Sequence, residues 1–446
     1  MPTHPLRRAA LAVATLPGLR ATTVVALVLM GLGPVLAATP TFATAPANAK
    51  PLSIDDALRI AEARSHALPA KEASASAARQ MAVAAGQRPD PVLTAGVNNL
   101  PVTTSDRFSL SRDFMTMRSI GVMQQLPHAS KLDARTARFE REAEAAEAAR
   151  ALTLTELQRE TATAWLDLYY LQRVADVLLA QRDEARLQVD AADAGYRGGR
   201  GPQADVFAAR SAVEQLENRL VESRQQVATA RSQLARWTGS ASADALGPLP
   251  ATSEERLHEH ALESELAAHP QIELMRRREA VAVAEVDLAR SEKTPDLSVQ
   301  LMYNHREPAY SNMVSLNFSV PLQWNQGKIQ DREVAAKLAV VEQLRNEREE
   351  ATRSVVLDAS TLLQRKRSTG ERMRRYDATL LPLAAERTRA SLAAYRGGGG
   401  SLVSVLQARE GELATRLDRL RLAMDEARLW AQINFLLPIP RPGVQP

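Results

Sequence analysis

Apolar and polar residues alternate with period two in four stretches of this chain, and the intervening sequence reads as long helices. In "PVLTAGVNN", Leu93, Ala95 and Val97 fall on one side and Thr94, Gly96 and Asn98 on the other. A second run covers Met117 to Leu126, with Ile120 and Val122 on its apolar face. Further on, Leu297, Val299, Leu301 and Tyr303 alternate with Ser298, Gln300 and Met302. Finally Val314, Leu316, Phe318, Val320 and Leu322 alternate with Ser315, Asn317 and Ser319. Such runs predict strands with one wet face and one apolar face. A soluble antiparallel sheet lying on a core would show the same alternation.

Helices surround these strands. Ser53-Ile54-Asp55-Asp56 reads as a capping box, with Ser53 as N-cap, opening a helix to about Gln87 that stops before Pro89 and Pro91. Each strand pair then empties into a much longer helix, from the launch points "SKLDAR" (Ser130 to Arg135) and "GKIQDR" (Gly327 to Arg332). From Lys131 to Gly195 there is no proline and no internal glycine, which predicts roughly 100 Å of helix at about 1.5 Å per residue. Leu154, Leu157, Thr161, Ala164, Trp165, Leu168 and Leu171 mark its buried stripe. The second long helix runs from Lys328 towards Tyr395, with interruptions expected at Gly370 and Pro382.

Both long helices end alike. "GYRGGRGPQADVFAAR" (Gly195 to Arg210) and "AYRGGGGSLVSVLQAR" (Ala394 to Arg409) share Tyr-Arg-Gly-Gly and a closing Ala-Arg, at a constant offset of 199. A return helix follows each turn, through Trp237 in one half and to about Phe435 in the other. The expected organisation is therefore a duplicated unit: repeat 1 over 50–238, a linker over 239–252, repeat 2 over 253–436, and a tail over 437–446. Each repeat is helix, strand pair, long helix, tip turn and return helix.

Composition changes the picture in two places. Only 4% of residues are aromatic, and alanine, arginine, leucine and glutamate dominate, which suits long helices that approach closely. The net charge of +4 is carried on interspersed Arg and Glu, a pattern of solvated helix faces rather than of a nucleic-acid surface. The absence of cysteine excludes disulfides and an acylated N-terminal cysteine. Residues 1–49 read as a signal peptide: basic residues, an apolar stretch from Ala21 to Ala38, and cleavage after Ala47-Asn48-Ala49, with Ala37 as the less favoured alternative. Export across an inner membrane is expected. Four strands cannot close a membrane barrel, since about eight is the minimum, so copies of the chain must combine. Three would supply twelve strands and a lumen.

The duplicated helix-strand-strand-helix order, "PDPVL" and "TPDLSV" at the first strands, and the turns followed by "DVFAAR" and "VSVLQAR" resemble the outer-membrane efflux proteins typified by TolC. The resemblance covers nearly all of residues 50 to 440. "MRSIGVMQQLPHASKLDAR" is similar to the branch that exports heavy-metal cations with resistance-nodulation-division pumps. The resemblance implies a mainly α protein with membrane β: a homotrimer with a twelve-stranded outer-membrane β-barrel, continued by a long periplasmic α-helical barrel. It implies no enzyme activity and no cofactor, and it implies an inner-membrane pump and a periplasmic adaptor as partners. A type I protein-secretion outlet would use the same fold, whereas a periplasmic coiled-coil adaptor would share only the helices.

Candidate site residues follow from the two readings. Val314, Leu316, Phe318 and Val320 are expected to face outer-membrane lipid. By the resemblance, Tyr196, Arg197, Gly198, Gly199, Arg396, Gly397 and Gly398 form tips on which the adaptor docks. The resemblance also implies a latch between Asp205 and Tyr395, with Ser404 and Gln407 standing where relatives with an acidic constriction carry aspartates. Gly400 stands where an arginine helps latch the aperture. No catalytic or metal-binding constellation emerges: His258 and His260, at i and i+2, do not share a helix face. Met115, Met117, Met123, Met302 and Met313 gather around the strands, as apolar filler or as soft ligands suited to Cu(I).

Overall fold

The computed structural model describes residues 51–239, 245–251, 257 and 261–438. The expected signal peptide, His258 and His260, most of the linker and most of the tail lie outside the described residues. The fold starts with two short helices, α1 (Ile54–Arg64) and α2 (Ala67–Ala85), followed by strands β1 (Val92–Asn98) and β2 (Met117–Leu126). The 69-residue helix α3 (Ala129–Arg197) runs out to the first tip and α4 (Gln203–Thr238) returns from it. The second half holds α5 (Leu262–Glu265), α6 (Pro270–Ser291), β3 (Leu297–His305) and β4 (Met313–Ser319). It ends with α7 (Gln330–Arg375), α8 (Leu381–Arg396) and the returning α9 (Leu402–Asn434).

All four strands lie where the alternation places them, in one antiparallel sheet of order β1-β2-β3-β4. The register aligns their apolar positions: Leu93 with Val122, Val122 with Leu301, Leu301 with Leu316. Polar positions align on the other face, where Asn98 donates to Ser119 at 3.1 Å and Asn304 to Ser315 at 3.0 Å. Gly121 sits on that face opposite Met302, and a Cβ there would meet the Met302 Cγ at 2.5 Å. The missing side chain is what lets Met302 fold over its neighbour.

The helices hold together through apolar stripes. Trp165, Leu166 and Leu168 are fully buried on α3, in a cluster with Leu52, Leu58, Leu234, Ala427, Trp430 and Phe435. The Trp165 indole N–H donates to the Leu52 carbonyl at 2.9 Å, satisfying its one polar group. The stripe read from the sequence is buried as expected, with Leu154 and Leu171 at its half-buried edge. A second cluster joins Leu266, Ile272, Val355, Ala359, Leu363 and Ile433.

Three expectations change. The helix opened by Ser53 is not continuous to Gln87, but breaks at Ser65–His66. Pro69 explains the break, because its ring excludes a helical carbonyl four residues earlier, at Ser65. The cap itself stands, with Asp56 N–H donating to Ser53 Oγ at 3.1 Å and Ser53 Oγ donating back to the Asp56 carboxylate at 2.8 Å. Gly370 does not interrupt the second long helix and lies inside α7. The irregularity is a π-helical turn, Tyr376–Leu380, in which Leu381 N–H reaches the Tyr376 carbonyl. Pro382 follows directly, with no N–H to give Ala378, and the wider turn keeps its ring clear of that carbonyl. Val320 and Leu322, read as the end of the last alternating run, lie beyond the end of β4 at Ser319.

Candidate functional sites on the sheet and at the hairpin tips

The outward face of the sheet is apolar and uncovered. Leu93 is 69% exposed, Leu301 54%, Val314 70%, Leu316 56% and Phe318 65%. Val320, Ile120 and Val122 continue the same exposed face. A stripe this wide on a water-soluble surface would be an aggregation site, so it marks a surface made for an apolar medium or partner. Among the described residues no helix is long and apolar enough to cross a membrane.

At the root of the sheet lies an ion pair that the sequence reading did not foresee. Lys131 Nζ, at the start of α3, is 3.3 Å from both carboxylate oxygens of Asp296, just before β3. Both side chains are about nine-tenths buried, and Gln125 donates to the same carboxylate at 3.0 Å. The residues were visible in "SKLDAR" and "TPDLSV", but only the β2–β3 pairing brings them together.

The two tips are built alike. Gly198 and Gly397 cap their helices with φ of −82° and −79°, and the next glycines, Gly199 and Gly398, take φ of +67° and +75°. Only glycine adopts that left-handed conformation without strain, which explains the duplicated Gly-Gly. Backbone hydrogen bonds match one for one: Gly198 to Ala194 and Gly397 to Ala393, Gly199 to Tyr196 and Gly398 to Tyr395, Arg200 to Gly195 and Gly399 to Ala394. At Gly400 a Cβ would lie 3.0 Å from the Tyr395 backbone nitrogen, a tight fit for a side chain. Arg197 is ion-paired with Asp193 one turn back, whereas Arg396 is exposed. Tyr196 is exposed as well.

The tips meet over an apolar cluster of Ala192, Val206, Ala209, Leu402 and Val405, against which Tyr395 packs half-buried. Asp205 stands in the first turn of α4, where its charge complements the helix N-terminus. Within the chain the Tyr395 hydroxyl and the Asp205 carboxylate share no hydrogen bond. Ser404, the counterpart of Asp205 in the second repeat, is engaged with the N-cap: Ser404 N–H donates to Ser401 Oγ at 3.2 Å and the two hydroxyls are 2.9 Å apart. Gln407 lines a groove between α3, α4 and α9 with Gln188, Gln215 and Glu410.

Charged groups tie the hairpins to each other behind the tips. Arg409 pairs with Glu184, Arg219 with Glu410 at 2.9 Å, and Arg428 with Asp167 at 2.5 Å. Arg419 grips Asp377 of the π turn through two bonds, 2.7 and 2.9 Å, and these hold the Asp377 carboxyl below the usual carboxylate range. His269, the N-cap of α6, accepts from Gln271 N–H at 3.2 Å through Nδ1. Burial, and then the nearby Arg159 charge, hold its imidazole below the ordinary range. Among the described residues no group of three or more His, Asp or Glu side chains could hold a metal ion. Met115 and Met313 are exposed, and Met302 covers Gly121.

The sequence profile of the family described as outer membrane efflux protein matches residues 57–240. No curated protein sequence matches. Among solved structures, the outer-membrane channel OprN superposes with a TM-score of 0.72 at 15% identity, covering 86% of this chain and 89% of that one. VceC, an outer membrane protein from Vibrio cholerae, gives 0.69 at 16% identity over 86% and 95% of the two chains. CusC, in a study of folding and transmembrane channel formation, gives 0.72 at 14% identity over 86% and 91%. The resemblance read from the sequence is thus met: residues 57–240 match the outer membrane efflux protein family, and the described chain as a whole folds as the solved outer-membrane channels do.

Proposed function

We propose that this protein is the outer-membrane channel of a tripartite efflux system, passing substrate from an inner-membrane pump and a periplasmic adaptor to the exterior. The observation that carries this reading is the exposed apolar face shared by all four strands, set on a chain whose hairpins extend for roughly 100 Å. Lipid is the medium that face fits, with Val314, Leu316, Phe318 and Val320 turned towards it. Three copies would supply twelve strands, enough to surround a lumen, and the hairpins would continue it as an α-helical barrel into the periplasm. The Gly-Gly tips, with Tyr196, Arg197 and Arg396 exposed beside them, are the adaptor-docking ends in this reading. Asp205, Tyr395, Ser404 and Gln407 rim the aperture. Metal cations are the proposed cargo, on the strength of the sequence between Met117 and Arg135.

Deleting the gene and testing growth against metals, dyes and antibiotics tests the function. Metal sensitivity restored by the full-length gene is the expected outcome. Loss of an exported protein with unchanged toxicity would favour a type I secretion outlet instead. The coiled-coil adaptor reading is set aside, because an adaptor would not carry a duplicated strand pair with an apolar outer face.

A further inference from the structure

The outer edges of the sheet, β1 and β4, have no partner strand among the described residues. The internal duplication supplies a template for what covers them. Asn98–Ser119 and Asn304–Ser315 are equivalent hydrogen bonds, which place β1 on β3 and β2 on β4 residue by residue. The β2–β3 seam inside the chain joins repeat 1 to repeat 2, with Ser119 opposite Asn304, Ile120 opposite Tyr303 and Val122 opposite Leu301. It is locked at its base by the buried Lys131–Asp296 pair.

Each member of that pair has a counterpart. Asp90 in "PDPVL" corresponds to Asp296 in "TPDLSV" at the strand offset of 206, and Lys328 in "GKIQDR" lies one residue beyond the position that the 196 offset of β2 and β4 gives Lys131 in "SKLDAR". Both counterparts are exposed, and neither has an ionic partner among the described residues. They stand beside the two open edges, one beside β1 and the other after β4.

The channel reading itself sets β4 of one protomer beside β1 of the next; we propose that this seam adopts the β2–β3 register and is locked by a salt bridge from Lys328 to Asp90 of the partner subunit. Transferring the seam puts Ser315 opposite Asn98 of the partner subunit and Leu316 opposite Val97 of the partner subunit. Phe318 then faces Ala95 of the partner subunit, and Ser319 faces Thr94 of the partner subunit. Apolar positions meet apolar and polar meet polar, whereas a slip of one residue would turn Phe318 and Leu316 onto the wet face. The contact is head-to-tail, so it generates a ring when the rotation closes. Like its template, the new ion pair would be desolvated on assembly, so removing one member leaves an uncompensated buried charge. The proposal rests on the channel reading and names the residues that join its subunits.

The absence of cysteine makes the register testable in the full-length, detergent-extracted protein. Directly opposed residues lie within disulfide reach, and diagonal ones do not. Mild oxidation of the Ser319→Cys, Thr94→Cys variant should give disulfide-linked oligomers, and the Ser319→Cys, Gly96→Cys variant should give none. Separately, Lys328→Asp and Asp90→Lys should each deplete the cross-linkable oligomer, and combining them should restore it. Disulfides in the diagonal pair, single reversals without effect, or a combined variant that stays depleted would each overturn the proposal while leaving an assembled channel. A wild-type protein that extracts only as monomers would overturn the channel reading itself.

Discussion

The two repeats agree at their ends and part company in the middle. At the sheet they share a hydrogen bond, Asn98–Ser119 against Asn304–Ser315, and at the tip they share a backbone pattern down to the glycine φ values. Between these ends α3 is one unbroken helix, whereas its counterpart is split by the π turn before Pro382. From launch lysine to tip tyrosine the first repeat has 65 steps, Lys131 to Tyr196, and the second has 67, Lys328 to Tyr395. A π turn holds an extra residue in its ring, so Tyr376–Leu380 takes up part of the surplus. Asp377 of that turn is pinned by Arg419 of the return helix. The two hairpins thus match in backbone at the sheet and at the tip, and differ along the shaft.

The largest test of this contrast lies in the shafts. Trp165 of the first repeat is fully buried in a cluster that Ala427, Trp430 and Phe435 of the second repeat complete, while Val355, Ala359 and Leu363 of α7 lie in a separate cluster of smaller side chains. Trp165→Ala should cost about 3–5 kcal/mol, read as a lowered unfolding midpoint of the extracted protein. Val355→Ala should cost clearly less; equal losses would mean that the two shafts share their stability evenly.

At the sheet the repeats should respond alike. Leu316→Arg and Ile120→Arg, at matched positions on the outward face, should each cost about 2–4 kcal/mol near the bilayer midplane. Asn317→Arg, on the opposite face, should be mild. Assembly yields that do not distinguish Leu316→Arg from Asn317→Arg would contradict the assignment of faces.

The tips should show a functional effect rather than a folding one. Tyr395→Phe combined with Asp205→Ala should leave expression intact yet raise single-channel conductance in planar bilayers. Within one chain these groups share no bond, so the latch would have to form between protomers, where a bond to a charged partner contributes about 1.5–3 kcal/mol, enough to bias an aperture between closed and open. Unchanged conductance with normal oligomer yield would move the latch to the apolar cluster under Tyr395.

The smallest expected effect separates the helices that precede the strands. Both α2 and α6 follow a histidine, but only His269 caps its helix with its side chain. Its folded pKa is depressed, so the unfolded chain takes up the proton first. The cap therefore stabilises fully above the unfolded imidazole value, about 6.5, and is lost as pH falls through the folded value. His269→Asn keeps an N-cap acceptor and should flatten that acid dependence, with a change of about 1 kcal/mol or less at neutral pH. His66→Asn should change nothing. A wild-type midpoint that is flat with pH across this window would show that His269 does not carry the acid dependence.

Period and spacing sufficed for much of this molecule. Strand positions were legible because a one-sided sheet imposes strict alternation, as in the run Val314, Leu316, Phe318. The tips were legible because left-handed glycines leave a mark that repeats. What the sequence did not disclose depends on distance through space. Pro69 breaks a helix that the pattern reads as continuous, whereas Pro382 is absorbed just after a π turn. Tyr395 packs at tips that meet over Val206 and Val405, but only side-chain placement shows that within the chain it makes no bond to Asp205. Lys131 and Asp296 are 165 residues apart, and nothing local in either segment says that one neutralises the other. The sequence alone thus determined the elements, their duplication and the apolar face, because these follow from local periodicity and backbone conformation. Tertiary structure decided which charges are buried together and which are left waiting at the edges, because that depends on strand register rather than on any residue's neighbours in the chain.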